Sequence, residues 1–86
     1  MAGWTQGRLL WVKRSQSDSG LVLVVQRRLG TAVARNRVKR RLRRLAQPYR
    51  SEHSGLVVMA RAGAPAARFA DLAAEFQSLV DQIAEE

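Results

Sequence analysis

Three short apolar runs and two longer stretches of helical period divide this chain. Arg8–Lys13 reads RLLWVK and predicts a strand, with Leu10 and Val12 on one side and Leu9 and Trp11 on the other. Leu21–Gln26 (LVLVVQ) is a nearly unbroken β-branched run, the pattern of a strand covered on both faces, and predicts the centre of a sheet. Leu56–Arg61 (LVVMAR) has the same character. Polar, turn-rich segments separate these runs: Arg14–Gly20 (RSQSDSG), Ser51–Gly55 and Gly63–Pro65. The first two strands are expected to form a hairpin across the seven-residue loop Arg14–Gly20. Met1–Gly7 is polar apart from Trp4 and is expected to fray.

The helical period appears twice. Leu29–Arg44 reads LGTAVARNRVKRRLRR, with Gly30 offering a turn and Thr31 a capping hydroxyl. Stepping about 100° per residue from Val38 brings Ala34, Leu42 and Leu45 within about 40° of it, which is a narrow apolar stripe. Asn36, Lys39, Arg40 and Arg43 fall on the opposite side, extended by Arg37 and Arg44. Arg35 and Arg41 flank the stripe, where their methylene stems can lie along a core. Pro48 disfavours helical geometry at Gln47, so the helix is expected to end near Ala46. The second helix is expected over about Ala67–Ala84, with Phe69, Leu72, Phe76, Leu79, Val80 and Ile83 in phase.

The order is therefore β-β-α-β-α, and strand, helix and strand in succession suggest a crossover unit with both helices packed against the sheet. The fold class expected is α+β, a two-layer sandwich in one domain over residues 1–86. A chain of this length buries a little over ~60% of its unfolded surface, so the core is modest.

Charge changes the picture most. The net charge is +8, and seven of the ten residues from Arg35 to Arg44 are Lys or Arg. Arg27 and Arg28 precede this stretch, and no acid occurs between Arg27 and Arg50. From Phe69 to the end there are five acids and no base. Like charges at i, i+4 destabilise a helix, and Lys39–Arg43, Arg40–Arg44 and Arg37–Arg41 are such pairs. A helix that carries them while keeping Val38, Leu42 and Leu45 in phase is expected to face a polyanion, first of all nucleic acid. Asn36, between two arginines, has an amide suited to a base edge or a 2′-hydroxyl.

Other chemistry has little to stand on. His53 is a lone imidazole in a polar loop without further ligands at metal-binding spacing. Asp71 and Glu75 share a helix face at i, i+4 and read as its solvated side. No serine has a base and orienter, and no glycine-rich phosphate loop is present. Trp4 and Trp11 are candidates for stacking on unpaired bases, but the ordinary place of a tryptophan in so small a sheet is the core; Met59 reads as core filler. No catalytic residue, metal site or protein cofactor is expected. With no cysteine, no apolar run near 18 residues and no signal layout at the N-terminus, a cytoplasmic protein with no membrane association is expected.

At the basic helix the sequence resembles the bacterial ribonuclease P protein subunit. That family's signature runs roughly Val-Gly-x-Ala-Val-x-Arg-Asn-Arg-x-Lys-Arg with a further arginine soon after. Gly30, Ala32, Val33, Arg35, Asn36, Arg37, Lys39, Arg40 and Arg43 match in register, Leu29 replaces the valine, and Arg27 and Arg28 stand for the basic pair before it. LVVMARAGA from Leu56 and FADLAAEFQSLV from Phe69 resemble the family's later strand, turn and closing helix. The resemblance spans about residues 20 to 84.

The resemblance implies a ribosomal-protein-S5-domain-2-like fold with a left-handed strand-helix-strand crossover, against the usual right-handed rule. It implies a subunit of an endoribonuclease that binds a large catalytic RNA and the 5′ leader of precursor tRNA, while RNA-held magnesium performs the hydrolysis. The RNA contacts are expected from Arg27, Arg28, Arg35, Asn36, Arg37, Lys39, Arg40, Arg41, Arg43 and Arg44. Family members usually begin with a helix and a further strand before the region equivalent to Arg8, where this chain has seven residues. Arg8, Trp11 and Lys13 are then the candidates for leader contact. Ala46 also departs from the family, standing where an aromatic is common. A shortened sheet is expected to expose an apolar edge, favouring dimerisation or reliance on RNA for stability, and oligomeric state is left open. The competing expectations are a general RNA-binding or ribosome-associated module without a processing role and, less in keeping with the strands, a helix-turn-helix.

Overall fold

The computed structural model describes residues 3–14, 21–49 and 55–85. The positions of Arg50 and His53 and most of the two polar loops lie outside these residues. The elements are β1 (Thr5–Gln6), β2 (Leu10–Arg14), β3 (Leu21–Val24), α1 (Ala32–Ala46), β4 (Leu56–Ala60) and α2 (Phe69–Glu85). Single 3-10 turns cover Arg27–Leu29, Gln47–Tyr49 and Ala64–Ala66.

The four strands form one sheet in the order β1-β2-β4-β3. β2 pairs antiparallel with β4, placing Trp11 opposite Met59 and Val12 opposite Val58. β3 pairs parallel with β4, with Val22 opposite Val57 and Leu23 opposite Val58. The expected hairpin between Arg8–Lys13 and Leu21–Gln26 is therefore absent: β4 lies between them. Leu21–Val24 is an edge strand and β4 holds the inner place. The apolar run of β3 misleads because Leu21 and Leu23 pack on the core while Val22, on the other face, is 46% exposed. Of the stretch expected to fray, Met1 and Ala2 lie outside the described residues, and Thr5 and Gln6 are not frayed, since they pair with Val12 and Trp11.

Period-two alternation puts Leu10, Val12, Leu56, Val58 and Ala60 on one sheet face, all buried. Both helices cover that face. α1 contributes Val38, Leu42 and Ala46; α2 contributes Leu72, Phe76, Leu79, Val80 and Ile83, in one continuous core. The core side chains are apolar, so what fixes this layer is the burial of the two helical stripes. The other sheet face carries no helix among the described residues.

The start of α1 is defined by two residues. Gly30 adopts φ 148°, a conformation that side chains rarely accept, and redirects the chain. Thr31 then caps the helix, its hydroxyl accepting from the Ala34 amide at 3.1 Å. Replacing Thr31 by alanine is expected to cost about 1 kcal/mol, and a chemical denaturation curve of T31A checks it. At the far end of α2 the Arg14 guanidinium donates to the Ile83 carbonyl at 3.2 Å, a cation at the negative end of a helix dipole.

Candidate RNA interface

Burying Val38 and Leu42 turns the rest of α1 outward. Asn36, Arg37, Arg40, Arg43 and Arg44 are exposed, as are Arg27 and Arg28 in the turn that leads into the helix. Val33 is 69% exposed and shares a row, at steps of three and four, with Arg37, Arg40 and Arg44. Asn36, Arg40 and Arg43 form the adjacent row. Two of the acids are engaged away from this face: Glu75 with the backbone of Leu9 and Leu10, and Asp81 with Gln77 on α2.

The cations of α1 divide by what they touch. Arg41 is half-buried and donates to the Ala67 carbonyl at 3.1 Å, tying α1 to the segment before α2. Arg35 is half-buried, its Nε donating to the Gly30 carbonyl at 3.2 Å. The Arg44 guanidinium lies 5.7 Å from the centre of the Phe69 ring. Arg28 Nε donates to Gln26. Lys39 and Arg43 border a hollow of about 200 Å³ against Leu21 and Leu23 at the β3 edge. Arg37 and Arg40 are therefore open for a phosphate, whereas Arg41 helps to hold the scaffold.

A second surface lies on the bare side of the sheet. Trp4 and Trp11 meet there with ring centroids 6.1 Å apart, tilted by 54°. The Lys13 ammonium sits 4.7 Å from the Trp4 ring centre and the Arg61 guanidinium 4.2 Å from that of Trp11. Arg61 also reaches the Met59 sulfur at 3.7 Å. The two tryptophans are thus not core residues, and neither is Met59: all three are half-buried on the open face. The pairing register explains it, because Trp11 and Met59 face each other on the side away from the helices.

Of the three residues expected to touch the leader, Trp11 and Lys13 lie on this face. Arg8 does not. It lines a separate groove of about 620 Å³ beside α2, with Leu9, Gly63, Asp71 and Glu75. Trp4, a stacking candidate with Trp11 from the sequence, joins the patch, and so does Arg61, which no sequence signal places there. Arg61 has the parity of Met59 along β4, but only the β2–β4 register reveals that it reaches Trp11.

Glu75 corrects another expectation. It is not a solvated residue: it is half-buried, and its carboxylate accepts from the amides of Leu9 and Leu10 at 2.6 and 2.7 Å. A carboxylate so engaged is a poor metal ligand, and among the described residues no group of three His, Cys, Asp or Glu is placed to hold a metal ion. No helix among the described residues is long and apolar enough to cross a membrane.

Together these features define a small basic α+β domain with an arginine-rich helix turned to solvent and an aromatic–cationic patch on the sheet face away from the two helices. The chain belongs to the ribonuclease P protein family, whose model, described as Ribonuclease P, matches residues 5–84. It is 40% identical to the Ribonuclease P protein component of Acidothermus cellulolyticus over 88 residues, covering 90% of this chain and 71% of that protein. Its fold is similar to an RNase P protein of Staphylococcus aureus, with TM-score 0.77, 23% identity, and 91% of this chain and 77% of that one covered. It is similar in the same way to the RNase P protein of Thermotoga maritima, with TM-score 0.77, 22% identity, and 95% and 84% covered. At these identities the two solved structures establish the fold, a mixed α+β arrangement of a four-stranded sheet and two helices.

Proposed function

We propose that this chain is the protein subunit of a ribonuclease P, binding the catalytic RNA and assisting removal of the 5′ leader from precursor tRNA. The observation that carries this reading is the outward face of α1, where Asn36, Arg37, Arg40 and Arg43 stand in the family register on a helix anchored by Val38 and Leu42. Arginine forks match phosphate geometry, and a rigid helix presents several at once at low entropic cost. Arg27 and Arg28 extend the cationic row at its entrance, and Lys39 and Arg44 lie along its sides. Arg35 and Arg41, each engaged with a backbone carbonyl, orient the helix as well as adding charge.

Catalysis is assigned to the RNA partner, with magnesium held there. The open sheet face is assigned to the single-stranded leader. Bases stack on Trp4 and Trp11 while their phosphates meet Lys13 and Arg61, the usual combination of rings and cations for unpaired strands. A cytoplasmic location accords with this role.

The test is 5′ maturation of precursor tRNA by a cognate catalytic RNA at low magnesium, with and without the chain. Stimulation of cleavage is expected, because added cations lower the phosphate repulsion that magnesium otherwise screens. Equal rates with and without the chain would remove the proposal. Phosphate contacts alone carry no sequence information, so a general RNA-binding role rests on the same helix. Competition at several salt concentrations separates the two: the subunit prefers the catalytic RNA, while the general binder takes structured RNAs alike.

A further inference from the structure

The short strand β1 poses a physical problem. It holds only two paired residues, yet it carries Trp4, half of the aromatic patch. Two residue pairs do not by themselves hold a strand firmly. The turn that joins β1 to β2 is also only half closed by the backbone. Gly7 N–H donates to the Leu10 carbonyl at 2.8 Å, but the Leu10 amide goes to Glu75 rather than back across the turn. The Leu9 amide goes to the same carboxylate oxygen.

Gly7 and Glu75 fit each other. A Cβ built on Gly7 would press into the Glu75 carboxylate, so the oxygen occupies the space that any other residue would fill. A carboxylate that accepts two backbone amides in a half-buried setting makes two charge-assisted hydrogen bonds, stronger than neutral ones. Glu75 stands on α2, which is fixed to the core on either side by Leu72, Phe76 and Leu79.

We infer that Glu75 is a positioning residue for the open sheet face: from α2 it clamps the Gly7–Leu10 turn and so sets β1 and the Trp4–Trp11 pair in place to receive a single strand. This rests on the reading of that face as the leader site. The clamp lies on the α2 side of the molecule and touches no residue of the α1 cation rows. Its loss therefore affects leader recognition and leaves the grip on the catalytic RNA intact.

The experiment compares the affinity of the assembled holoenzyme for precursor tRNA and for mature tRNA, using wild type, Glu75→Ala, Glu75→Gln and Gly7→Ala. Affinity of each chain for the catalytic RNA alone is measured in parallel. The precursor preference is expected to fall about fivefold or more in E75A, the loss of at least one base stack. G7A, which keeps the carboxylate but displaces it, should show the same loss, and binding to the catalytic RNA should be unchanged in both. E75Q, whose amide oxygen can still accept, should recover most of the preference. Hydrogen exchange in the wild type should show the Leu9 and Leu10 amides protected, a readout that needs no variant to fold. Rapid exchange of both amides overturns the proposal. So does an undiminished precursor preference in E75A and G7A, or an equal loss of binding to the catalytic RNA. If the wild-type holoenzyme itself shows no precursor preference, the leader reading fails instead.

Discussion

Leu42→Ala is expected to lower the melting temperature of the free chain by roughly 10 to 30 °C. Leu42 is fully buried in the single core, one turn from Val38 and from Ala46. Truncating a buried leucine costs about 2–5 kcal/mol, from lost transfer energy and from the cavity left behind. A domain of this size has about 4–13 kcal/mol of total stability, and each kcal/mol moves its midpoint by about 4–8 °C. The effect is large because the core is small and one-sided, with a single layer of helices to cover the sheet. A thermal melt followed by circular dichroism checks it. A midpoint within a few degrees of wild type would mean that the stripe of α1 is not the anchor of the helix.

The triple change Arg37→Ala, Arg40→Ala and Arg43→Ala should act in the opposite way. These side chains are exposed, and each lies beside another cation, so their removal relieves repulsion within α1. The melting temperature is expected to hold or rise slightly. Affinity for the catalytic RNA should drop about a hundredfold or more at physiological salt, since hydrogen bonds to charged groups are each worth about 1.5–3 kcal/mol before exposure is discounted. The dependence of log affinity on log salt should flatten by about 2 to 3, one unit or slightly less for each phosphate that an arginine no longer neutralises. Binding titrations at four or five salt concentrations read both numbers. A full-strength slope in the triple variant would place the phosphates on another surface. Together with L42A, this variant separates the charge of the helix from its anchoring.

What could be read from the chain and what could not follow from how far each signal reaches. The two helices were legible because a helical stripe is a local property: Val38 and Leu42 are in phase whatever they pack against, and both are buried. The cap at Thr31 is local as well, and the folded chain keeps it; α1 does end at Ala46, but Gln47 holds helical geometry at φ -53° and ψ -44° and leads into the Gln47–Tyr49 3-10 turn, so Pro48 does not exclude helical backbone at Gln47 as expected. Strand order was not legible. Leu21–Val24 is the most β-like run in the chain, yet pairing depends on the crossover through α1, and β4 takes the inner place. The open face of the sheet escaped for the same reason. Trp11 alternates with Leu10 and Val12, but alternation cannot say which side of the sheet the helices cover. Glu75 was the least legible residue. Its two partners lie 65 and 66 positions away, and a glutamate on a mostly exposed face gives no local hint of a backbone clamp. Arg41 was rightly placed at the flank of the stripe, but its bond to the Ala67 carbonyl depends on how α1 meets the start of α2.

The central claim is that the outward cations of α1 hold the catalytic RNA of ribonuclease P. Ultraviolet cross-linking of the chain to total cellular RNA, with sequencing of the RNA and mass mapping of the joined peptides, tests it most directly. The expected result is strong enrichment of that one RNA, joined to peptides from residues 27 to 44. Cross-links spread over cellular RNAs in proportion to their abundance, or joined to the outer face of α2 around Asp71 and Ser78, would contradict it.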